Sequence, residues 1–380
     1  MNILNILYFS PKFGGGIVKH LIALGVAAKS SGHNLILGFT KKCELQEELQ
    51  AYARVIIIPE IENPLRSGFP SILREICKFH SIDIIHFHFL FALPFSLTFS
   101  TKRWNVPIIY HWHNPPVSLN KFLTSPKSLS GLLRRLFSSL VARYTDSRVI
   151  YRHISISKEI TELLLRNKWT SKEKIIFLPN GVSGTLTKKN ILPTETTSVP
   201  IIGTVANFRP QKDYETLLNA FKILIESGKQ YKLWLVGDGP NKPHIEKLAK
   251  EMEIDRYIRF IGTLANPSEM YHMFSIFVLS THYEGHPLVI LEAMSFGLPI
   301  VASRISSIAE IIKDGVNGLL VNPKDPHDMA EAIQKLLTDQ LMYVQLSEAA
   351  LKTFKAQLSV NEWAEKVLSV YESVVPGRSQ

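Results

Sequence analysis

Short apolar runs alternate with amphipathic helical stretches along almost the whole chain, and the alternation stops once and starts again. That pattern leaves little choice of architecture, because strands buried between layers of helices form parallel α/β sheets. Ile3 to Phe9 is the first predicted strand. Ile17, Val18, Leu21, Ile22, Gly25 and Ala28 then recur at helical spacing, and Gly32 closes that helix. Leu35 to Phe39, Val55 to Ile58, Ile84 to Phe87 and Pro107 to Trp112 read as further strands. A polar stretch, Ser183 to Ser198, shows little periodicity and marks a linker. Beyond it, Ile201 to Ala206 and Tyr231 to Val236 flank a helix in which Tyr214, Leu217, Leu218, Phe221, Leu224 and Ile225 share one face. Strands near Ile258 to Ile261, Ile276 to Leu279, Pro299 to Val301 and Gly318 to Val321 follow. A chain of 380 residues exceeds what one hydrophobic core readily serves. The expectation is an α/β protein of two doubly wound, Rossmann-like domains, residues 1–182 and 200–355, with a linker at 183–199. A last amphipathic helix, within 356–380, is expected to pack back on the first domain. Ligands of such sheets bind at the carboxyl ends of the strands.

Composition narrows the partners. Cys43 and Cys77 have no metal-ligand spacing and suit a reducing compartment. The first ten residues read as a strand without basic n-region or cleavage site. The greasy run Ile82 to Phe99 carries Asp83, His86 and His88, which argues against a membrane-spanning helix. A cytoplasmic protein is expected. Its net charge of +10 concentrates between Asn120 and Lys174, where 12 Lys/Arg face 4 Asp/Glu. Arg134 and Arg135 lie among Leu132, Leu133, Leu136 and Phe137. The stretch therefore reads either as a solvated helical face or as a peripheral contact with anionic lipid or an acidic acceptor. No nucleic-acid-binding module accompanies the charge, so nucleic acid is not expected.

Four places carry candidate chemistry. Gly14, Gly15 and Gly16 sit between the first strand and its helix, where glycine lets a ligand approach the backbone and the helix start offers N–H donors; a tight turn explains them equally. In the segment from Tyr283 to Met294, Glu284 falls in a loop before a Pro-started helix and Glu292 falls inside it. That helix is apolar apart from Glu292 and Ser295, so its carboxylate needs donors or a cation. A ribose diol would supply two hydroxyls, while N–H groups from Gly285 through His286 to Leu288 could meet a diphosphate. Internal salt bridging is the competing explanation. Arg209 and Lys212 link a strand to the helix near Tyr214 and could neutralise a diphosphate leaving group, or pair with Asp213 or Glu215. His86, His88, His111 and His113 lie near strand ends; zinc usually adds Cys, Asp or Glu at matching spacing, so no metal is expected. A hydrogen bond from His113 to a sugar hydroxyl competes with a satisfied core histidine.

Together these segments resemble the retaining glycosyltransferase family 4, which has the GT-B fold of two Rossmann-like domains facing across a cleft. The resemblance rests on the Gly14–Gly16 loop, Ser31-Gly32-His33, Asp83 to His88, His111-Trp112-His113-Asn114, Ile156-Ser157-Lys158 and Leu178-Pro179-Asn180-Gly181-Val182. It continues through Pro210-Gln211-Lys212-Asp213, Leu235 to Pro240, the Glu284/Glu292 pair and Asn317 to Val321. It implies a nucleotide-diphosphate sugar donor and a saccharide or lipid-linked saccharide acceptor, without a metal cofactor. Glu292 looks like the ribose ligand, Glu284 like the carboxylate facing the donor sugar, and Lys212 like a diphosphate ligand. Gly15 and Gly16 would approach the donor from the other domain, Gly237 and Gly239 belong to the donor site, and His113 would stand near the reacting sugar. Two positions depart from the family pattern: Asn207 stands where Arg is common, so Arg209 is expected to supply that charge, and Ser306-Ser307 replaces a common Gly-Gly pair. Transfer with retention, through front-face attack of the acceptor hydroxyl, is the expected activity. A nucleotide-sugar epimerase or hydrolase and a non-catalytic binding subunit are the alternatives.

Overall fold

The computed structural model describes residues 1–7, 16–42, 46–63, 68–88, 96–98, 105–115, 140, 142–183, 199–264 and 266–375. They form two compact units, Met1–Gly181 with Leu358–Gln380, and Val182–Gln357. Most of the proposed linker falls outside the described residues.

The first unit holds a seven-stranded sheet of β1 (Asn2–Leu7), β2 (Asn34–Phe39), β3 (Arg54–Ile57), β4 (Ile84–His88), β5 (Ile108–Trp112), β6 (Ile150–Ser155) and β7 (Ile175–Phe177). Their order is β3-β2-β1-β4-β5-β6-β7, and every pairing is parallel. Burial on both faces explains why these strands read as continuous apolar runs. β6 and β7 escaped the sequence pattern for a physical reason. The first places Tyr151, Arg152 and His153 within its six residues, and the second is only three residues long. The helix Gly16–Ser30 ends where Gly32 takes φ of 70° and His33 N–H donates to the Ala28 carbonyl at 2.7 Å, a left-handed stop that favours glycine. The C-terminal helix Val360–Val374 belongs to this unit. Its Trp363, Val367, Leu368 and Tyr371 share a core with Val18, Leu21 and Leu24. A capping box between Ser359 and Glu362 starts it.

The second unit repeats the plan with β8 (Ile201–Val205), β9 (Lys232–Val236), β10 (Ile258–Gly262), β11 (Ile276–Leu279), β12 (Ile300–Ser303) and β13 (Leu319–Val321). The order is β10-β9-β8-β11-β12-β13, again all parallel. In both sheets the order reverses beside the first strand: between β1 and β4, and between β8 and β11. Loops leaving those neighbouring strands diverge to opposite faces, which opens a crevice at their carboxyl ends.

Candidate active site

At the second switch point, two loops meet. One leaves β8 and reaches the helix Tyr214–Glu226 through a short 3₁₀ turn, Pro210–Lys212. Phe208, fully buried, stacks on Tyr214 with ring centres 4.2 Å apart, and the Tyr214 hydroxyl donates to the Ala206 carbonyl at 2.8 Å. The loop is thereby pinned at both ends. The other leaves β11 and enters the helix Leu288–Ser295, with Pro287 as the residue just before the first turn.

These loops are stitched together by groups that local sequence pattern does not reveal. His282 N–H donates to the Gln211 carbonyl at 2.9 Å, and the Gln211 amide donates to the Tyr283 carbonyl at 2.5 Å. The Ser280 hydroxyl donates to the Lys212 carbonyl at 3.1 Å. Thr281 Oγ1 donates to Glu284 Oε1 at 3.0 Å. The result is an ion pair between Lys212 Nζ and Glu284 Oε1, with side chains only 16% and 9% exposed. A desolvated pair of this kind contributes little net stability, but losing one partner strands a charge at a cost of about 3–5 kcal/mol. Gly285, His286 and Pro287 are buried behind Glu284, and Leu288 is half-buried at the helix start.

Glu292 lies within the helix that follows. Its carboxylate accepts a hydrogen bond at 3.0 Å from the hydroxyl of Tyr271, a buried residue on the helix Ser268–Met273. Burial, then the neighbouring Glu292 carboxylate, holds the Tyr271 phenol well above its ordinary value, so it stays a donor. A neutral phenol is thus one of the donors this carboxylate needs.

Arg209 is exposed, and its side chain forms no ion pair among the described residues. Its N–H donates to the Asn207 carbonyl at 2.9 Å, closing a three-residue turn around buried Phe208. That turn brings positions 207 and 209 close together. Gly237 and Gly239 take φ of 137° and 157°, and their N–H groups are spent on Gly262 O and Asp238 Oδ1. A Cβ on Gly237 would lie 2.1 Å from the Ala206 carbonyl oxygen, and one on Gly239 would lie 2.5 Å from that of Phe208. These glycines let the loop that carries Arg209 settle against them.

In the first unit, strand register gathers the histidines. Asn5 pairs with His86 and His88 with His111 across neighbouring strands, so their side chains share a face, and His113 continues the alternation. His111 and His113 stack with centres 4.1 Å apart, and His86 lies parallel to His111 within 6° at 5.3 Å. Burial, reinforced by the neighbouring histidines, drives His86, His111 and His113 well below the ordinary imidazole value, and His88 down to about 3. All are neutral near pH 7. One nitrogen from each of His86, His88 and His111 lies within 4.8 Å of the others, a spacing that could gather round a metal ion. His88, however, commits Nε2 to Asn5 Oδ1 at 2.8 Å and Nδ1 to His113 Nε2 at 2.9 Å. A metal would have to break that chain. Gly15 lies outside the described residues, and Gly16 opens the first helix.

Fold and site together define a two-domain, doubly wound α/β enzyme of GT-B type. Residues 14–184 match the model of Glycosyltransferase Family 4, and residues 189–353 match that of Glycosyl transferases group 1. The chain belongs to glycosyltransferase family 4 and is a glycosyltransferase. It is 27% identical over 321 residues to N-acetyl-alpha-D-glucosaminyl L-malate synthase of Bacillus anthracis, covering 82% of this chain and 79% of that protein. A lipopolysaccharide core biosynthesis glycosyltransferase of Rhizobium meliloti is 29% identical over 160 residues, 42% of this chain and 46% of that protein. The solved structure of Anabaena HepE in complex with UDP and glucose superposes with a TM-score of 0.78 at 18% identity, over 98% of this chain and 100% of that one.

Proposed function

We propose that the enzyme moves a sugar from a nucleotide-diphosphate donor to a hydroxyl acceptor with retention of configuration. The observation that carries this reading is the Lys212–Glu284 pair at the second switch point, with Glu292 on the helix leading away from it. Glu292 receives the ribose diol, and Tyr271 orients its carboxylate. Lys212 and Arg209 meet the diphosphate, aided by N–H groups from Gly285, His286 and Leu288 at the helix start. Glu284 turns its carboxylate to the donor sugar, and His113 accepts from a sugar hydroxyl. As the anomeric carbon–oxygen bond breaks, negative charge grows on the departing diphosphate, where preorganised cations stabilise it most. The acceptor oxygen attacks the same face, its proton leaving to a phosphate oxygen of the diphosphate. No metal is needed for this balance of charge.

The acceptor is a growing surface polysaccharide or glycolipid in a bacterium, met at the cytoplasmic side of a membrane. Within the basic stretch, Arg148 lies over Tyr144 and Arg152 over Tyr151, with both rings exposed. Aromatic–basic surfaces of this kind suit anionic headgroups. The segment around Arg134 and Arg135 lies outside the described residues, and no described helix is long and apolar enough to span a membrane.

A thermal-shift screen with nucleotide diphosphates and their sugars identifies the donor, since ligand binding to the native state raises apparent stability. NMR of the product anomer then tests the stereochemistry. An inverted linkage overturns the mechanism, and free sugar or an epimer formed without acceptor overturns the transferase reading in favour of hydrolase or epimerase chemistry.

A further inference from the structure

We propose that Asn5 and His88 act as positioning residues that hold His113 as a neutral imidazole with its proton on Nε2, leaving Nδ1 as the acceptor for a sugar hydroxyl. This rests on the reading that His113 meets the reacting sugar, and deepens it.

The chain of bonds has one direction. The Asn5 amide nitrogen donates to the Tyr371 hydroxyl at 3.4 Å, so Asn5 turns its Oδ1 the other way, toward His88 Nε2 at 2.8 Å. An amide oxygen only accepts, and His88 Nε2 therefore carries a proton. A neutral imidazole has one N–H, so His88 Nδ1 is a lone pair. It lies 2.9 Å from His113 Nε2, which must be the donor. By the same count His113 Nδ1 is a lone pair, whatever else surrounds it. Tyr371, accepting from Asn5, is left to donate to His86 Nδ1 at 2.6 Å.

The neutrality this count requires comes from the surroundings. Asn5, His86, His88 and His111 are buried at 1% exposure or less, and each histidine faces other histidines. Adding one proton would place a charge among neutral, buried rings. The arrangement is the one by which a second residue fixes which nitrogen of a functional histidine is protonated. Its origin is visible in the backbone: β1 and β4 flank the first switch point, and their register sets Asn5 opposite His86, two residues from His88.

Histidine-selective ¹⁵N NMR on the full-length enzyme reads the tautomer directly, with the His113 signal assigned by its loss in His113→Gln. The expected result is Nε2–H in the wild type at pH 7. An Nδ1–H tautomer, or a protonated ring, overturns the proposal. Kinetics supply the second arm. His88→Phe is expected to scramble the tautomer and lower kcat about 10- to 100-fold with donor KM unchanged, whereas His88→Gln, which can accept and donate at once, recovers most of the rate. If His113→Ala impairs transfer but His88→Phe scrambles the tautomer without changing kcat, the relay is wrong and the sugar-facing role of His113 stands. If His113→Ala transfers like wild type, that role fails and the relay's purpose fails with it.

Discussion

At the second switch point a lysine and a glutamate are pressed together in a nearly buried ion pair, while the first switch point is lined by imidazoles that burial keeps neutral. The folds are near copies, each a doubly wound sheet reversing beside its first strand, yet the electrostatics are opposite. The contrast shows that the fold supplies only the crevice, and that side chains at strand ends decide whether it is charged or neutral. In the proposed reading, a diphosphate leaving group takes its compensating charge from the Lys212–Glu284 pair of the second domain. In the same reading, sugar hydroxyls meet directed lone pairs and donors on neutral rings, without the desolvation cost of an ion.

The largest effect should come from separating the two halves of the ion pair. Glu284→Ala or Lys212→Ala is expected to lower kcat about 10²- to 10³-fold, and each should cost about 3 kcal/mol by leaving its partner buried alone. The combined Lys212→Met, Glu284→Gln protein should regain most of that stability in urea unfolding while transfer stays lost. Recovery of transfer would mean that the pair serves the fold alone.

Acidification should act on the other domain. Below the ordinary imidazole value of 6.5, an unfolded chain takes up protons that the folded rings refuse. Stability is therefore full above 6.5 and declines as pH falls from there toward about 3, the value for His88. Each such ring removes about 1.4 kcal/mol per pH unit across its own interval. Hydrogen exchange at pH 7 and pH 5 should show protection lost first in β4, β5 and the helix Val360–Val374, and later around Lys212. Uniform loss in both domains would show that the contrast in charge handling has no consequence for stability.

How much of this was legible in the sequence follows the reach of each interaction. The Glu284/Glu292 spacing, the apolar helix between them and the Lys212 loop are local, so residue order displays them. The H-x-H spacings also carried the signal that His86 and His88, and His111 and His113, share a strand face. Which histidine touches Asn5 depends on the register between β1 and β4, and no local pattern encodes that. Tyr271 and Thr281 were missed because a tyrosine on one helix and a threonine in a turn look ordinary until tertiary packing aims them at carboxylates. Gly237 and Gly239 entered through the family resemblance alone; that the Ala206–Phe208 backbone packs against them is a tertiary contact no local pattern encodes.

A smaller effect tests that Tyr271 contact. Tyr271→Phe removes one hydrogen bond to a carboxylate and leaves the ring in place, so donor affinity should weaken about tenfold with kcat nearly unchanged. Titration calorimetry with the donor nucleotide measures it. An unchanged affinity would detach the Tyr271 contact from nucleotide binding.

The smallest effect concerns Arg209, which is exposed and so works through solvent that screens it. Arg209→Gln should reduce kcat/KM less than tenfold, more at low ionic strength than at high. The turn that joins the Asn207 carbonyl to the Arg209 N–H makes the two positions near neighbours, which suggests a sharper trial. Installing Asn207→Arg in the Arg209→Gln background should restore the rate if the diphosphate needs a cation in this turn and not one particular backbone origin. The second substitution keeps the net charge of the loop equal to that of the wild type, so a general electrostatic gain is not the explanation of a rescue. If the rate stays low while donor affinity returns, Arg209 contributes at the transition state through its own position, and the second domain's handling of charge is geometrically stricter than the shared turn implies.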